Sequence, residues 1–415
     1  MDNAAIVERS KSGFYFGWIV VFAAFLAFGL VFGTITYSFT IFVNPLAAHF
    51  ATTPTKVLLA FTLTNVGTGV LGVYAGRLLM RYSIRSMILL GLALMAAGFF
   101  GLSLSSAMWE IYFVYAVVLS FGAVIVAPLG ASSLVTNWFS ASRGRALTLA
   151  TLGTSFGQLL LPRLAAYVIE GWSWQSAYRV FALASVLVMP VIYFLVVDRP
   201  EDKGLQSYGT PSKDSPAATA AAAPSLLTNA EILRRTDFWS IGLSYLFTVT
   251  VYLALVGVMV PYARTFGVTQ LEASRLVVTM GIFAIVGKIG FATFTDRMGL
   301  RNTFWIAVGL NLAACILLVA VRGYTVLFLA SACAGASAGG ILPLWPGMIA
   351  FRFGRPALPQ VMGLMSPMVL IFQGFGAPLA TALHFRSAFL LFIAMLVVSA
   401  ALSRNLNQQP PGIPS

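Results

Sequence analysis

VVTMGIFAIVGKIGFATFTDRMGLR (277–301) decides the fold. From Val277 to Thr295 it is long and apolar enough to cross a bilayer, since about 20 helical residues span the roughly 30 Å hydrocarbon core. A basic turn, DRMGLR (296–301), closes it. One residue breaks the apolar run. Lys288 stands about 12 Å of helix from Asp296, at about 1.5 Å per residue, so it cannot simply snorkel into that turn. A cation at this depth costs about 2.5–3.5 kcal/mol on insertion scales. Such a residue is usually kept for a purpose, most simply to meet an anion.

Stretches of the same kind recur along all 415 residues, of which 59% are hydrophobic and 9% charged. The short alternating strands of a transmembrane barrel are absent. The pattern predicts an all-α membrane protein with twelve transmembrane helices: 14–40, 55–77, 86–107, 110–134, 144–169, 175–197, 237–263, 272–295, 302–321, 324–350, 358–382 and 384–403. Residues 1–13 carry charge and no small-residue cleavage site, so the first span is expected to be retained. A Pro- and Ala-rich stretch within 198–236 reads as a flexible linker between six-helix halves at 14–197 and 237–404, and 405–415 reads as a tail. Cys315 and Cys333 fall inside spans, which does not indicate a disulfide framework.

The net charge of +13 suggests nucleic acid only until its placement is considered. Of the 25 basic residues, 17 fall in loops on one side and 7 on the other, with Lys288 apart. That bias follows the positive-inside rule. It predicts both termini in the cytoplasm, as in a bacterial inner membrane, and no nucleic-acid partner. All twelve acids lie in loops or at helix ends. Exporters of cationic drugs normally need an intramembrane acid, so that class loses ground.

The halves repeat each other. GRLLMRYSIR (76–85) aligns with ATFTDRMGLR (292–301), matching Arg81 with Arg297 and Arg85 with Arg301. NWFSASRGRA (137–146) and AFRFGRPALP (350–359) both place arginines between the fourth and fifth spans of their half. Duplicated halves are a transporter signature, with the substrate site expected near the midplane between them. Gly72 occupies the place of Lys288, so the charge is not part of the repeat.

These residues resemble the major facilitator superfamily. TDRMGLR (295–301) is similar to the second-half copy of that family's Gly-x-x-x-Asp-Arg-x-Gly-x-Arg loop motif. The first copy is degenerate, with Met80 where Asp is usual and Ser83 where Gly is usual. FYFGWIVV (14–21), TYSFTIFVNPL (36–46), NWFSASRGRALTLATLGTSFGQLLLP (137–162) and GWSWQSAYRVF (171–181) resemble the branch of monocarboxylate transporters and oxalate:formate antiporters. The resemblance implies that Lys288, eight positions before Asp296, binds a substrate carboxylate where the branch usually carries Arg. A second cation, which the oxalate-type relatives carry in span eleven, has no counterpart in 361–383. The acid that proton-coupled relatives place one turn before the cation is Ala284.

The expected function is secondary transport of a small organic anion, a monocarboxylate first, by proton symport or anion exchange. A dicarboxylate or aromatic acid, a neutral hydrophobic compound, or a scaffold or sensor role remains open. Tyr37, Tyr252, Thr250 and Trp345 are expected to shape the pocket with Lys288, although Tyr37 also suits an interfacial aromatic. Asn65, Gln158 and Gln373 suit glue between helices as well as substrate contact. Arg163 suits snorkelling, unless it faces the cavity as a second cation. Asp296, Arg297, Arg301, Arg81 and Arg85 are expected to clasp the inner gate. No catalytic residue, metal or cofactor is expected, and the partners are the anion and membrane lipid around a monomer.

Overall fold

The computed structural model describes residues 15–140, 142–208, 228–268, 270–320, 323–372 and 383–404, with 376, 379 and 380 as isolated positions. Helices dominate throughout. Among the described residues, ten are long and apolar enough to cross a membrane: α1 (Gly17–Tyr37), α2 (Lys56–Arg81), α3 (Ile84–Leu102), α4 (Met108–Trp138), α6 (Trp174–Leu195), α7 (Thr236–Arg264), α8 (Arg275–Thr293), α9 (Arg297–Val319), α10 (Tyr324–Phe353) and α12 (Phe385–Leu402). Two more complete the twelve. α5 (Arg143–Gly171) has 29 residues, but hydroxyls and arginines make it polar for a span. α11 (Leu358–Ser366) runs on as Pro367–Ile371, and most of the remaining predicted span lies outside the described residues.

Two boundaries differ from the sequence reading for visible reasons. The first helix continues as Phe39–His49, past the expected limit at 40, because Phe42 and Leu46 bury fully and Phe42 stacks on Tyr178 at 4.1 Å. The expected linker also begins as an anchored strap. The Trp138 indole donates to the Val197 carbonyl at 2.8 Å, the Tyr15 hydroxyl to Gln206, and Tyr208 bridges to Phe139. Residues 209–227 lie outside the described residues.

The matched loops turn by different chemistry. Gly299 turns the chain between α8 and α9 at φ 78°, a conformation that suits glycine. Ser83, its counterpart, keeps negative φ and caps α3 by accepting from the Ser86 amide. Asp198, from the other end of the half, accepts from the Ile84 and Arg85 amides at 3.0 and 2.8 Å.

The halves meet along two seams. A Cβ on Gly76 of α2 would stand 2.4 Å from the Pro359 carbonyl oxygen of α11. In the second seam, a Cβ on Gly144 of α5 would stand 2.1 Å from Thr295, just past α8. Arg355, between α10 and α11, reaches across to the first half and donates to the Asn137 carbonyl at 3.2 Å. Among the described residues, every hydrogen bond between the halves lies at this arginine-rich end or at Lys288.

Candidate functional site

Lys288 lies in the seam between α8 and α5, and is 5% exposed. Its backbone is set by α10. A Cβ on Gly339 would stand 2.3 Å from the Lys288 amide nitrogen, so only glycine permits this approach. The side chain points the other way, into the first half. Its ammonium donates to the Thr151 carbonyl at 3.1 Å, Thr154 Oγ1 at 2.5 Å and Ser155 Oγ at 2.8 Å. All three N–H bonds are used, and every acceptor is neutral. The ion pair seen among the described residues lies elsewhere, between Arg352 of α10 and Asp237 of α7.

The hydroxyls are themselves ordered along α5. Thr148 donates to Gly144, Thr151 to Thr148 and Thr154 to Thr151, each a backbone carbonyl. These residues recur at helical spacing on one face, which was the available sequence signal for a group the sequence reading missed. Alone, the stripe reads as ordinary side-chain bonding within a helix.

The other expected site residues are distributed unevenly. Tyr37 ends a π-helical segment of α1, Phe32–Tyr37, and is half-buried. Tyr252 of α7 is likewise half-buried. Trp345 is buried and stacks on Tyr245 at 4.6 Å with the ring planes 10° apart. Its indole nitrogen has no hydrogen-bond partner, nor has the buried hydroxyl of Thr250. Buried polar atoms of this kind are uncommon, and ligand contact is one explanation. Asn65 donates back to Phe61 within its own helix at 3.0 Å. Gln158 and Arg163 are exposed on α5, and neither is among the groups that meet Lys288. Gln373 lies outside the described residues.

Among the described side chains, the expected gate arginines meet partners in their own half. Arg81 lies over the Tyr82 ring, Arg85 over Tyr193 and Arg301 over Trp305, each within its own half. Arg297 is exposed, and the Asp296 side chain lies outside the described ones. The inter-half contact at this end comes from Arg355, which also donates to Ser207 of the strap at 2.9 Å. Burial pulls the Arg355 pKa below its ordinary value, and nearby Glu201 and Tyr15 offset part of that.

Residues 17–319 and 241–413 match the model of the Major Facilitator Superfamily. The oxalate:formate antiporter of Oxalobacter formigenes is 22% identical over 93% of this chain and 90% of its own length. Monocarboxylate transporter 12 of Mus musculus is 24% identical, over 84% of this chain and 76% of its own. An uncharacterised MFS-type transporter of Escherichia coli, YhjX, is 22% identical over 82% and 80%. Among solved structures, the proton:xylose symporter XylE superposes with a TM-score of 0.68 over 93% of this chain and 94% of that one, at 15% identity. That likeness concerns the fold.

Proposed function

Because this chain belongs to the Major Facilitator Superfamily, a family of transporters rather than enzymes, we propose that it moves a small organic anion, a monocarboxylate first, by alternating access. The observation that carries the cargo is the environment of Lys288, whose buried ammonium rests on neutral oxygens at a seam between halves. Neutral hydroxyls and a carbonyl compensate a desolvated cation only in part. A carboxylate supplies the missing charge and bonds that are about twice as strong. Monocarboxylate and oxalate:formate carriers among the relatives support the same class.

The binding step follows from this arrangement. A carboxylate oxygen takes the place of Thr154 or Ser155 beside the ammonium. Loading the site therefore loosens the bond between α8 and α5, and the halves are freed to rock. Tyr37, Tyr252, Thr250 and Trp345 offer donors for the second carboxylate oxygen or for substituents. An aromatic acid is the second reading, favoured by the Tyr245–Trp345 stack. The arginine-rich end faces the cytoplasm, as the charge bias indicates, in a bacterial inner membrane. Proton symport and anion exchange both suit a monomeric carrier of this kind.

Uptake into vesicles of labelled acetate, lactate and benzoate, with oxalate as comparator, tests the reading. Lys288→Gln is expected to cut uptake about 100-fold, within the range for removing one partner of a buried charged contact. Its thermal midpoint should not fall, since a buried cation without a counterion is removed. Full uptake by that variant would reject the site. Failure of every anion with the wild-type protein would reject the cargo.

A further inference from the structure

The transport reading leaves one built recess unused. A groove of about 380 Å³ lies between α9 and α12, lined by Trp305, Gly309 and Leu312 on one side and Leu396, Ala400 and Arg404 on the other. It runs inward from the arginine-rich end for about 10 Å, the helical rise from Trp305 to Leu312. Its floor is apolar and its room comes from small residues. Nothing lies within 4 Å of where a Cβ on Gly309 would stand.

The mouth has the opposite chemistry. Arg301 lies with its guanidinium carbon 5.0 Å from the Trp305 ring centroid, and its Nη1 donates to the Arg404 carbonyl at 3.1 Å. The Trp305 indole donates to Ser403 Oγ at 2.9 Å, which fixes the ring at the mouth. The Arg301 Nε is buried without a partner. Neither Arg301 nor Arg404 meets a carboxylate among the described residues. Two arginines and a Trp therefore sit beside an apolar slot at the end of two spans, where such residues are expected at headgroup depth.

We propose that this groove holds one bilayer phospholipid with an anionic headgroup. An acyl chain lies along Gly309 and Ala400, and the phosphate takes charged hydrogen bonds from Arg301 and Arg404. Basic recesses between spans at the cytoplasmic surface suit such headgroups, and guanidinium groups suit phosphate oxygens. A protein helix in the slot would set apolar side chains against two uncompensated arginines. A soluble phosphate would leave the apolar floor unused. The site stands apart from Lys288 and does not depend on what the carrier moves.

The test titrates palmitoyl-oleoyl phosphatidylglycerol into the purified full chain in neutral detergent and follows the thermal midpoint. Palmitoyl-oleoyl phosphatidylcholine and glycerol phosphate are the controls. Phosphatidylglycerol is expected to raise the midpoint at concentrations where neither control does. Arg404→Gln, an exposed change, should weaken that effect about fivefold, as expected for one basic residue at the surface. Gly309→Leu should fill the slot and remove the effect while leaving the midpoint in detergent unchanged. Equal shifts with phosphatidylcholine would overturn the headgroup assignment. Equal shifts with glycerol phosphate would show a free-anion site instead. A full effect retained in both variants would overturn the groove.

Discussion

Among the described residues, Lys288 is a charge with three hydrogen bonds and no counterion, and the identity of those bonds determines how it works. If a carboxylate displaces Thr154 or Ser155, the hydroxyls compete with substrate. The double variant Thr154→Val, Ser155→Ala should then bind substrate about tenfold more tightly, the scale of one charged hydrogen bond. Titration calorimetry reads this directly. Weaker binding would mean that the hydroxyls remain as ligands in the loaded site, and the displacement step would be withdrawn. The lysine itself was legible in the sequence because one cation in an apolar run is conspicuous. Its partners were not. They lie 133 to 137 residues away, and a Thr in a helix satisfies itself locally whether or not a cation sits above it. Arg355 was missed for a related reason, since it reads as one more loop arginine until the fold sets it beside Asn137 and Ser207.

At the scale of helices, close approach is written in glycine. The α2–α11 seam closes because Gly76 leaves room for the Pro359 carbonyl, and Gly72 faces Ser366 in the same way. A larger side chain would hold the seam open. In Gly76→Leu, with both native cysteines replaced, Ser366→Cys should label with an aqueous maleimide at least about tenfold faster than in the Gly76 background, the rate expected once about 1.4 kcal/mol of closure is lost. Unchanged labelling would show that closure does not depend on this contact. Most helix limits were legible from apolar length, although α5 is too polar to be found by that measure. The extension through His49 was not, because NPLAAH lacks the length of a span and is held by Phe42 packing on Tyr178. The degenerate loop copy was legible as a departure, but its remedy was not. Asp198 caps α3 from a position 113 residues further along the chain than Arg85.

Across the whole molecule, the halves are joined at the arginine-rich end and, among the described residues, by no hydrogen bond at the other. The chain between the halves takes part, since Arg355 grips both the first half and the strap that leads away from it. Arg355→Gln should favour opening at this end. Limited trypsin digestion should then cut at Lys203 about five- to tenfold faster, for a loss of about 1 to 1.4 kcal/mol, and an unchanged rate would remove Arg355 from the gate. The repeat predicted two halves, but not the Arg355 contact that joins them at this end. The neutral oxygens around Lys288 have a further consequence, for the membrane potential. A site that carries a monovalent carboxylate crosses the field as a neutral pair. The vacant site crosses as a single positive charge, worth about 2.3 kcal/mol per 100 mV, or it must first give up its proton. Swapping one anion for another avoids both, so exchange should be indifferent to voltage, whereas net uptake should follow it or the pH.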